Sequence, residues 1–450
     1  MFERLVDKAA RQAAKHRLRE QGVMRGSIVA WLAWNRWEML AVLAACRQLG
    51  AVLLPLNGRL ANAELTRIVE HAGAGCLLHD EAMADAALQL RSTAQWHPGP
   101  ADGVLEGDVL LVYTSGTTGQ PKGAMHTAVS MTANVEAAIA AQGLHERTRA
   151  LAVLPLFHLG GLAIQTLPTL CAGGQVRLHP RFDADTWFDE LGAWRPTTTL
   201  LVPAVMRALI EHPRWPTADL SSLQFVVAGS QIVPRHLIEA FHTRGVPVAQ
   251  VYGATETGPL SIVLKPHEAR QHVGSVGRAA LGVEVQLAVD GEILLRAPNL
   301  MRAYHRHVEP AFDAKGWFHT GDLAVQRPGG WFEVVGRTRE LIISGGENIY
   351  PAEVENLVSA WPGVADCAVV GLPDERWGEV PVLAVVAAPG VDLDKDALLR
   401  MLACCLARFK LPRRIVTLTA LPRTALGKVQ KTELARALAA RDQAEGHPPT

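Results

Sequence analysis

Asp108-Val109-Leu110-Leu111-Val112-Tyr113-Thr114-Ser115-Gly116-Thr117-Thr118-Gly119-Gln120-Pro121-Lys122-Gly123 is the stretch from which the rest of the chain can be understood. After Asp108 the first part is continuously apolar and β-prone, which suits a strand buried on both faces. Downstream, residues 130–141 read as helix. Between them Gly116, Gly119 and Gly123 let the backbone turn and bring N–H groups close to an anion. Ser115, Thr117 and Thr118 add hydroxyls and Lys122 a positive charge, so the loop from Thr114 reads as a phosphate clamp. It is not the ordinary nucleotide P-loop, G-x-x-x-x-G-K-[ST], because Gly123 follows Lys122 where that loop has its magnesium-binding hydroxyl. Taken alone, the same residues also fit a solvent-exposed Gly/Thr turn.

The bulk properties narrow the classes. At 450 residues the chain exceeds what one hydrophobic core serves, which predicts a large layered domain and at least one smaller one. With 49% hydrophobic and 20% charged residues and a formal net charge of zero, it has the balance of a globular enzyme without bulk attraction to nucleic acid. The six cysteines form no C-x-x-C pair and the histidines no H-E-x-x-H, which argues for reduced thiols in a cytoplasmic setting and against a disulfide framework or structural zinc. The mixed charges of residues 1–8 do not resemble a signal peptide, and the apolar region 28–56 is interrupted by Arg36, Glu38 and Arg47, so no transmembrane segment is expected.

Residues 28–32, 37–49 and 51–54 read as strand, helix and strand, a β-α-β unit of the parallel type. Strand-like runs recur at 151–154, 198–202, 225–227 and 246–251, which predicts an α/β fold of doubly wound sheets. From 82 to 107 the pattern weakens and Pro98-Gly99-Pro100 marks a surface connection. After Gly282 short alternating strands suggest a small antiparallel or barrel-like module, and after Arg337 a further α+β unit follows. The expected division is residues 1–338, a large N-terminal domain, and 339–450, a small mobile C-terminal domain.

Further polar motifs stand in apolar or glycine-rich surroundings. Tyr252-Gly253-Ala254-Thr255-Glu256-Thr257 follows a strand-like run, so its side chains emerge at a strand's carboxyl end, where α/β sheets bind ligands. Trp317-Phe318-His319-Thr320-Gly321-Asp322, Gly336-Arg337-Thr338-Arg339-Glu340, Ser344-Gly345-Gly346-Glu347-Asn348-Ile349-Tyr350-Pro351 and Pro422-Arg423-Thr424-Ala425-Leu426-Gly427-Lys428 complete the set. In this order they resemble the adenylate-forming superfamily, in its acyl-CoA synthetase and aryl-CoA ligase branch.

The resemblance implies two half-reactions. A carboxylate attacks the α-phosphate of ATP, giving acyl-AMP and pyrophosphate; a thiol then displaces AMP. It assigns the clamp 114–123, with Lys122, to the β- and γ-phosphates, Glu256 to Mg2+, Thr255 to the α-phosphate and Tyr252 to adenine. Asp322, with Arg337, takes the ribose hydroxyls, and Lys428 stabilises the forming adenylate. Arg339 stands at the hinge, where relatives carry Asp or Lys; Gly345 and Gly346 line the pantetheine tunnel; Trp377 and Phe409-Lys410 match CoA-contacting positions. Each also has a bland structural alternative, such as an N-terminal helix acid for Glu256 or core packing for Tyr252 and Trp377.

His158, in Pro155-Leu156-Phe157-His158-Leu159-Gly160, stands where peptide-synthetase domains place Asp and suits acyl- and aryl-CoA ligases, whose ring there shapes the carboxylate pocket. Small or apolar pocket residues (Leu159, Gly160, Val227, Ala228, Gly229, Ser230, Gln231, Ala254) fit an apolar monocarboxylate, fatty or aromatic, and Val251 replaces the arginine of malonate-specific relatives. Relatives carry a strand-rich segment ahead of the first helix that this sequence lacks. No carrier module follows Lys431, so free coenzyme A is the expected acceptor, beside ATP and Mg2+; a homodimer is admitted. A carrier-loading ligase and a non-catalytic nucleotide- and acyl-binding homologue are the alternatives.

Overall fold

Asp108–Thr114 is a strand with Val109, Leu110, Leu111 and Val112 all buried, as the apolar run predicts. In the computed structural model the residues described are 1–2, 6–114, 122–344, 347–374, 376–424 and 427–444. The strand lies inside a six-stranded sheet, in the order Ala303–Tyr304, Lys122–Thr127, Asp108–Thr114, Val52–Pro55, Ile28–Leu32, Cys76–His79. The pairings from Asp108–Thr114 through Cys76–His79 are parallel, and Lys122–Thr127 and Ala303–Tyr304 add antiparallel strands at one side.

Alternation explains why these strands are apolar at every position. Val29 and Trp31 enter one core, with Leu40 and Leu43 of the helix Trp37–Leu49, while Ile28, Ala30 and Leu32 enter another, with Leu65 and Ile68 of the helix Asn62–Ala72. Both faces of the sheet are therefore covered. A second sheet of seven strands runs Arg278–Ala279, Ile262–Leu264, Val248–Tyr252, Phe225–Ala228, Thr198–Leu201, Arg149–Ala152, Gln175–Leu178, parallel except at the first two strands.

Two local expectations are corrected. The clamp does not lead from strand to helix: Lys122–Thr127 is itself a strand, antiparallel to Asp108–Thr114 with Thr114 opposite Lys122, and the helix Ala128–Gln142 begins only after it. Gly123 and His126 broke the sequence pattern of that strand. Within 82–107 the structure has a helix, Ala84–Thr93, whose Ala87 and Leu90 are buried one turn apart; too few apolar residues repeat there for the pattern to show.

By internal contact density the chain forms two units: residues 1–230, 239–286 and 294–319, and residues 231–238, 287–293 and 320–450. The second contains the antiparallel pairing of Phe318–Arg327 with Trp331–Arg337, which follows the rhythm expected after Gly282. It also contains a sheet in which Val364–Asp374 pairs with Gly378–Ala387, with Ile342, Val354, Val369, Leu383 and Leu398 in one of its cores.

Candidate active site

The first unit gathers Thr114, Lys122 and Glu256. Thr114 ends its strand and Lys122 opens the next, so the hairpin register sets both at the same end of the sheet. Glu256 comes from a turn, Thr255–Thr257, held by Ala254 N donating to Thr257 Oγ1 at 2.8 Å. Thr114 Oγ1 makes a long contact to Glu256 Oε1 at 3.4 Å. Tyr304, which sequence reasoning missed, donates its hydroxyl to the same oxygen at 3.0 Å, and the Lys122 ammonium lies 5.1 Å from the centre of its ring. Burial first, and then the Glu256 charge, push the Tyr304 hydroxyl well above the ordinary tyrosine pKa, so it remains a donor.

The neighbouring backbone is fixed too. His126, wholly buried, donates from Nε2 to Thr255 O at 2.9 Å. Burial pushes its pKa down to about 4, so the ring is neutral. Met301 N donates to Glu256 O at 2.8 Å. Tyr252 is the last residue of Val248–Tyr252, at the carboxyl end of a central strand. The next residue has to be glycine, because a Cβ on Gly253 would stand 2.1 Å from Pro259 O. Ser115, Gly116, Thr117, Thr118 and Gly119 of the clamp, and Gly345 and Gly346, lie outside the described residues.

Among the described residues no group of three or more His, Cys, Asp or Glu could hold a metal by itself. One carboxylate beside two hydroxyls nevertheless fits Mg2+, a hard cation that keeps waters and arrives on phosphate oxygens.

His158 also belongs to this unit and sits against Phe157, with ring centres 4.4 Å apart. Its loop is clamped by Asn35, again missed from sequence: Asn35 Oδ1 accepts from Leu156 N at 2.7 Å, and Nδ2 donates to Leu154 O at 2.9 Å and His179 O at 3.0 Å. Beyond it runs a π-helix, Gly161–Thr166. A Cβ at Gly160 would reach ordinary contact with Ile164 and Ser230 at 3.7 and 3.8 Å, so glycine leaves that space open. Ser230 has φ 71°, a strained left-handed backbone beside the Gly160 space.

The second unit brings Asp322 and Arg337 together across the antiparallel strands Phe318–Arg327 and Trp331–Arg337, with Arg337 Nε 2.8 Å from Asp322 Oδ1. Arg339 is exposed on the turn Thr338–Glu340 that follows. Lys428 stands on a turn closed by Thr424 N to Lys428 O at 2.8 Å. Lys431, three residues on and not singled out in the sequence, contacts Glu355 at 2.8 Å and Glu340 at 3.4 Å. Burial alone would lower its ammonium, but the two carboxylates hold it above the usual lysine range. Trp377, 36% exposed, has guanidinium groups of Arg376 and Arg413 at 5.0 and 5.4 Å from its ring, a flat cationic surface of the kind a nucleotide base would meet.

Comparison with known proteins fits these features. The AMP-binding enzyme family model matches residues 4–305, and the AMP-binding enzyme C-terminal domain model matches 353–428. The chain is 44% identical over 460 residues to an indoleacetate–CoA ligase of Aromatoleum aromaticum, covering 94% of this chain and 90% of the relative. It is 40% identical over 443 residues to a feruloyl-CoA synthase of an Amycolatopsis species, covering 93% and 90%. The structure of o-succinylbenzoate CoA synthetase (MenE) from Bacillus subtilis, in complex with the acyl-adenylate intermediate OSB-AMP, matches with a TM-score of 0.84 at 30% identity, covering 95% of this chain and 91% of that one. The chain therefore belongs to the AMP-binding enzyme family.

Proposed function

We propose that this AMP-forming acid–thiol ligase joins an aromatic monocarboxylic acid, of the arylacetic or arylpropenoic type, to coenzyme A. The carrying observation is the gathering of Thr114, Lys122 and Glu256 at one end of the first sheet, a cation and a carboxylate placed for a metal-bound triphosphate. The identities of 44% and 40% to ligases named for indoleacetate and ferulate favour an aromatic acid over a fatty one. The open space at Gly160, beside Ile164 and Ser230, suits a flat ring.

In this reading a carboxylate oxygen forms a bond to the α-phosphorus of ATP and pyrophosphate leaves. The thiolate of coenzyme A then forms a bond to the acyl carbon and AMP leaves. Lys122 and the hydroxyls of the clamp hold the β- and γ-phosphates, and Thr255 lies beside the α-phosphate. Tyr252 stacks on adenine, and Asp322, oriented by Arg337, accepts from the ribose diol. Glu256 would hold Mg2+, which supplies neutralisation of the charge that builds on pyrophosphate. Lys428 stabilises the developing negative charge of the first half-reaction. Arg339 is the hinge between residues 1–338 and 339–450, Gly345 and Gly346 flank the thiol in the second half-reaction, and Trp377 contacts coenzyme A. The six cysteines, with no C-x-x-C pair among them, support a cytoplasmic setting.

The test is a competition among indole-3-acetate, ferulate, benzoate and octanoate, with acyl-CoA products quantified by mass. An aryl product favoured over octanoyl-CoA by tenfold or more in kcat/KM, about 1.4 kcal/mol of discrimination, is expected. Octanoate favoured over every aryl acid would overturn the aromatic assignment.

A further inference from the structure

Residues 299–305 form a brace between the metal-motif turn and the strand that leaves the phosphate clamp. Asn299 Nδ2 donates to the carbonyls of Thr257 and Leu260, both at 3.0 Å, and Met301 N donates to Glu256 O. On the other side Arg302 N donates to Met125 O at 2.8 Å and His305 N to Gly123 O at 2.7 Å. The two-residue strand Ala303–Tyr304 thereby pairs with Lys122–Thr127, with Tyr304 opposite Ala124. Arg302 Nε and Nη2 also grip the buried carboxylate of Asp108 at 2.9 and 2.8 Å, which resists any slip of the register.

Tyr304 is the one side chain of this brace that meets both charged groups of the site. Its hydroxyl is 3.0 Å from Glu256 Oε1 and its ring lies under the Lys122 ammonium. Glu256 is thus held at its backbone carbonyl by Met301 and at its carboxylate by Tyr304. Among the described residues, both donors to that carboxylate, Tyr304 and Thr114, go to Oε1.

We propose that Tyr304 is a positioning residue for the metal–nucleotide complex: its hydroxyl aims the Glu256 carboxylate at Mg2+, and its ring holds the Lys122 ammonium beside the same carboxylate. The proposal rests on the reading of Glu256 and Lys122 as the groups that meet Mg2+ and triphosphate. An ammonium resting on an aromatic face loses freedom, while a hydrogen bond to a carboxylate fixes its rotation. The site is then ordered before nucleotide arrives.

The experiment is calorimetric titration of ATP into the full chain at stepped free Mg2+, without carboxylic acid or coenzyme A, together with thermal unfolding of each variant. Tyr304→Phe keeps the ring and removes the hydroxyl. It should raise the Mg2+ concentration that half-maximally strengthens ATP binding by about tenfold, and leave Mg2+-free ATP affinity within about twofold. Tyr304→Leu, which also removes the ring, should in addition weaken Mg2+-free binding by roughly threefold or more. Glu256→Gln is the control for the underlying reading. If it abolishes the Mg2+ dependence while Tyr304→Phe leaves it unchanged, the role of Tyr304 is overturned and the reading of Glu256 stands. If Glu256→Gln leaves the Mg2+ dependence intact, the reading of Glu256 falls, and the proposal with it. A Tyr304→Phe variant that melts early and weakens ATP equally with and without Mg2+ would make the contact merely structural and also overturn the proposal.

Discussion

His126 shows how one buried ring can tie the stability of the first unit to pH. It has no exposed surface, it donates from Nε2 to Thr255 O, and its pKa of about 4 lies below the unfolded value near 6.5 because burial disfavours the charged ring. The neutral form is therefore the folded form. Its contribution is complete above the unfolded pKa and is lost as pH falls from about 6.5 towards about 4. Between pH 7 and pH 5 the unfolding free energy should drop by about 2 kcal/mol on this account alone. Urea unfolding at the two pH values would report it. His126→Gln should show a smaller drop than the parent, and an equal drop would remove His126 as the cause. The residues that sequence alone exposes are those with local signatures: Lys122 after its glycines, Glu256 after Tyr252-Gly253, Asp322 after Gly321. Tyr304, His126 and Asn35 carry no such signature, because their partners stand 48, 129 and 119 residues away. Only an isolated polar side chain in an apolar run, as in Ala124-Met125-His126, could have hinted at them.

The π-helix Gly161–Thr166 departs furthest from what periodicity could reveal among the described elements of the pocket. Its wider turn leaves carbonyls that the regular ladder would satisfy, and side chains replace the missing donors. Asn134 Nδ2 donates to Ala163 O and Gln142 Nε2 to Ile164 O, both at 2.7 Å and buried, and Thr166 Oγ1 donates to Gly161 O at 2.9 Å. Asn134 also accepts from Leu260 N at 3.3 Å, so one side chain ties the π-helix to the segment after the turn Thr255–Thr257. Gln142→Leu leaves Ile164 O buried without that donor and should cost about 1–3 kcal/mol of stability. It should also raise the KM for the aromatic acid more than that for ATP, because Ile164 faces the Gly160 space. Chemical denaturation and steady-state kinetics test both, and unchanged stability would show that another donor takes over. Elements with a strong pattern were legible, such as Ile28–Leu32 and Trp37–Leu49. The strand Lys122–Thr127 was not: tertiary pairing with Asp108–Thr114 holds it, against a sequence with glycine and histidine among its six residues.

At the scale of the whole molecule, length and alternation were enough to predict an α/β chain with a large and a small part. The small part was legible because strand rhythm changes after Gly282. Contact density puts residues 320–338 with the second unit, whereas sequence motifs alone place the division at Arg339. Strands Phe318–Arg327 and Trp331–Arg337 pair directly, with Asp322 opposite Arg337, which keeps that segment together. Among the described residues no helix is long and apolar enough to cross a membrane. Zero formal net charge leaves any anion recognition to local groups, and the fold sets the Lys122 ammonium against the Tyr304 ring. The central claim, activation of a carboxylate through its adenylate, is tested most directly by supplying indole-3-acetate labelled with 18O in its carboxyl group, with ATP, Mg2+ and coenzyme A. Attack on the α-phosphorus followed by thiolysis at the acyl carbon predicts one labelled oxygen in AMP and none in pyrophosphate. Label appearing in inorganic phosphate, with ADP as the nucleotide product, would contradict it.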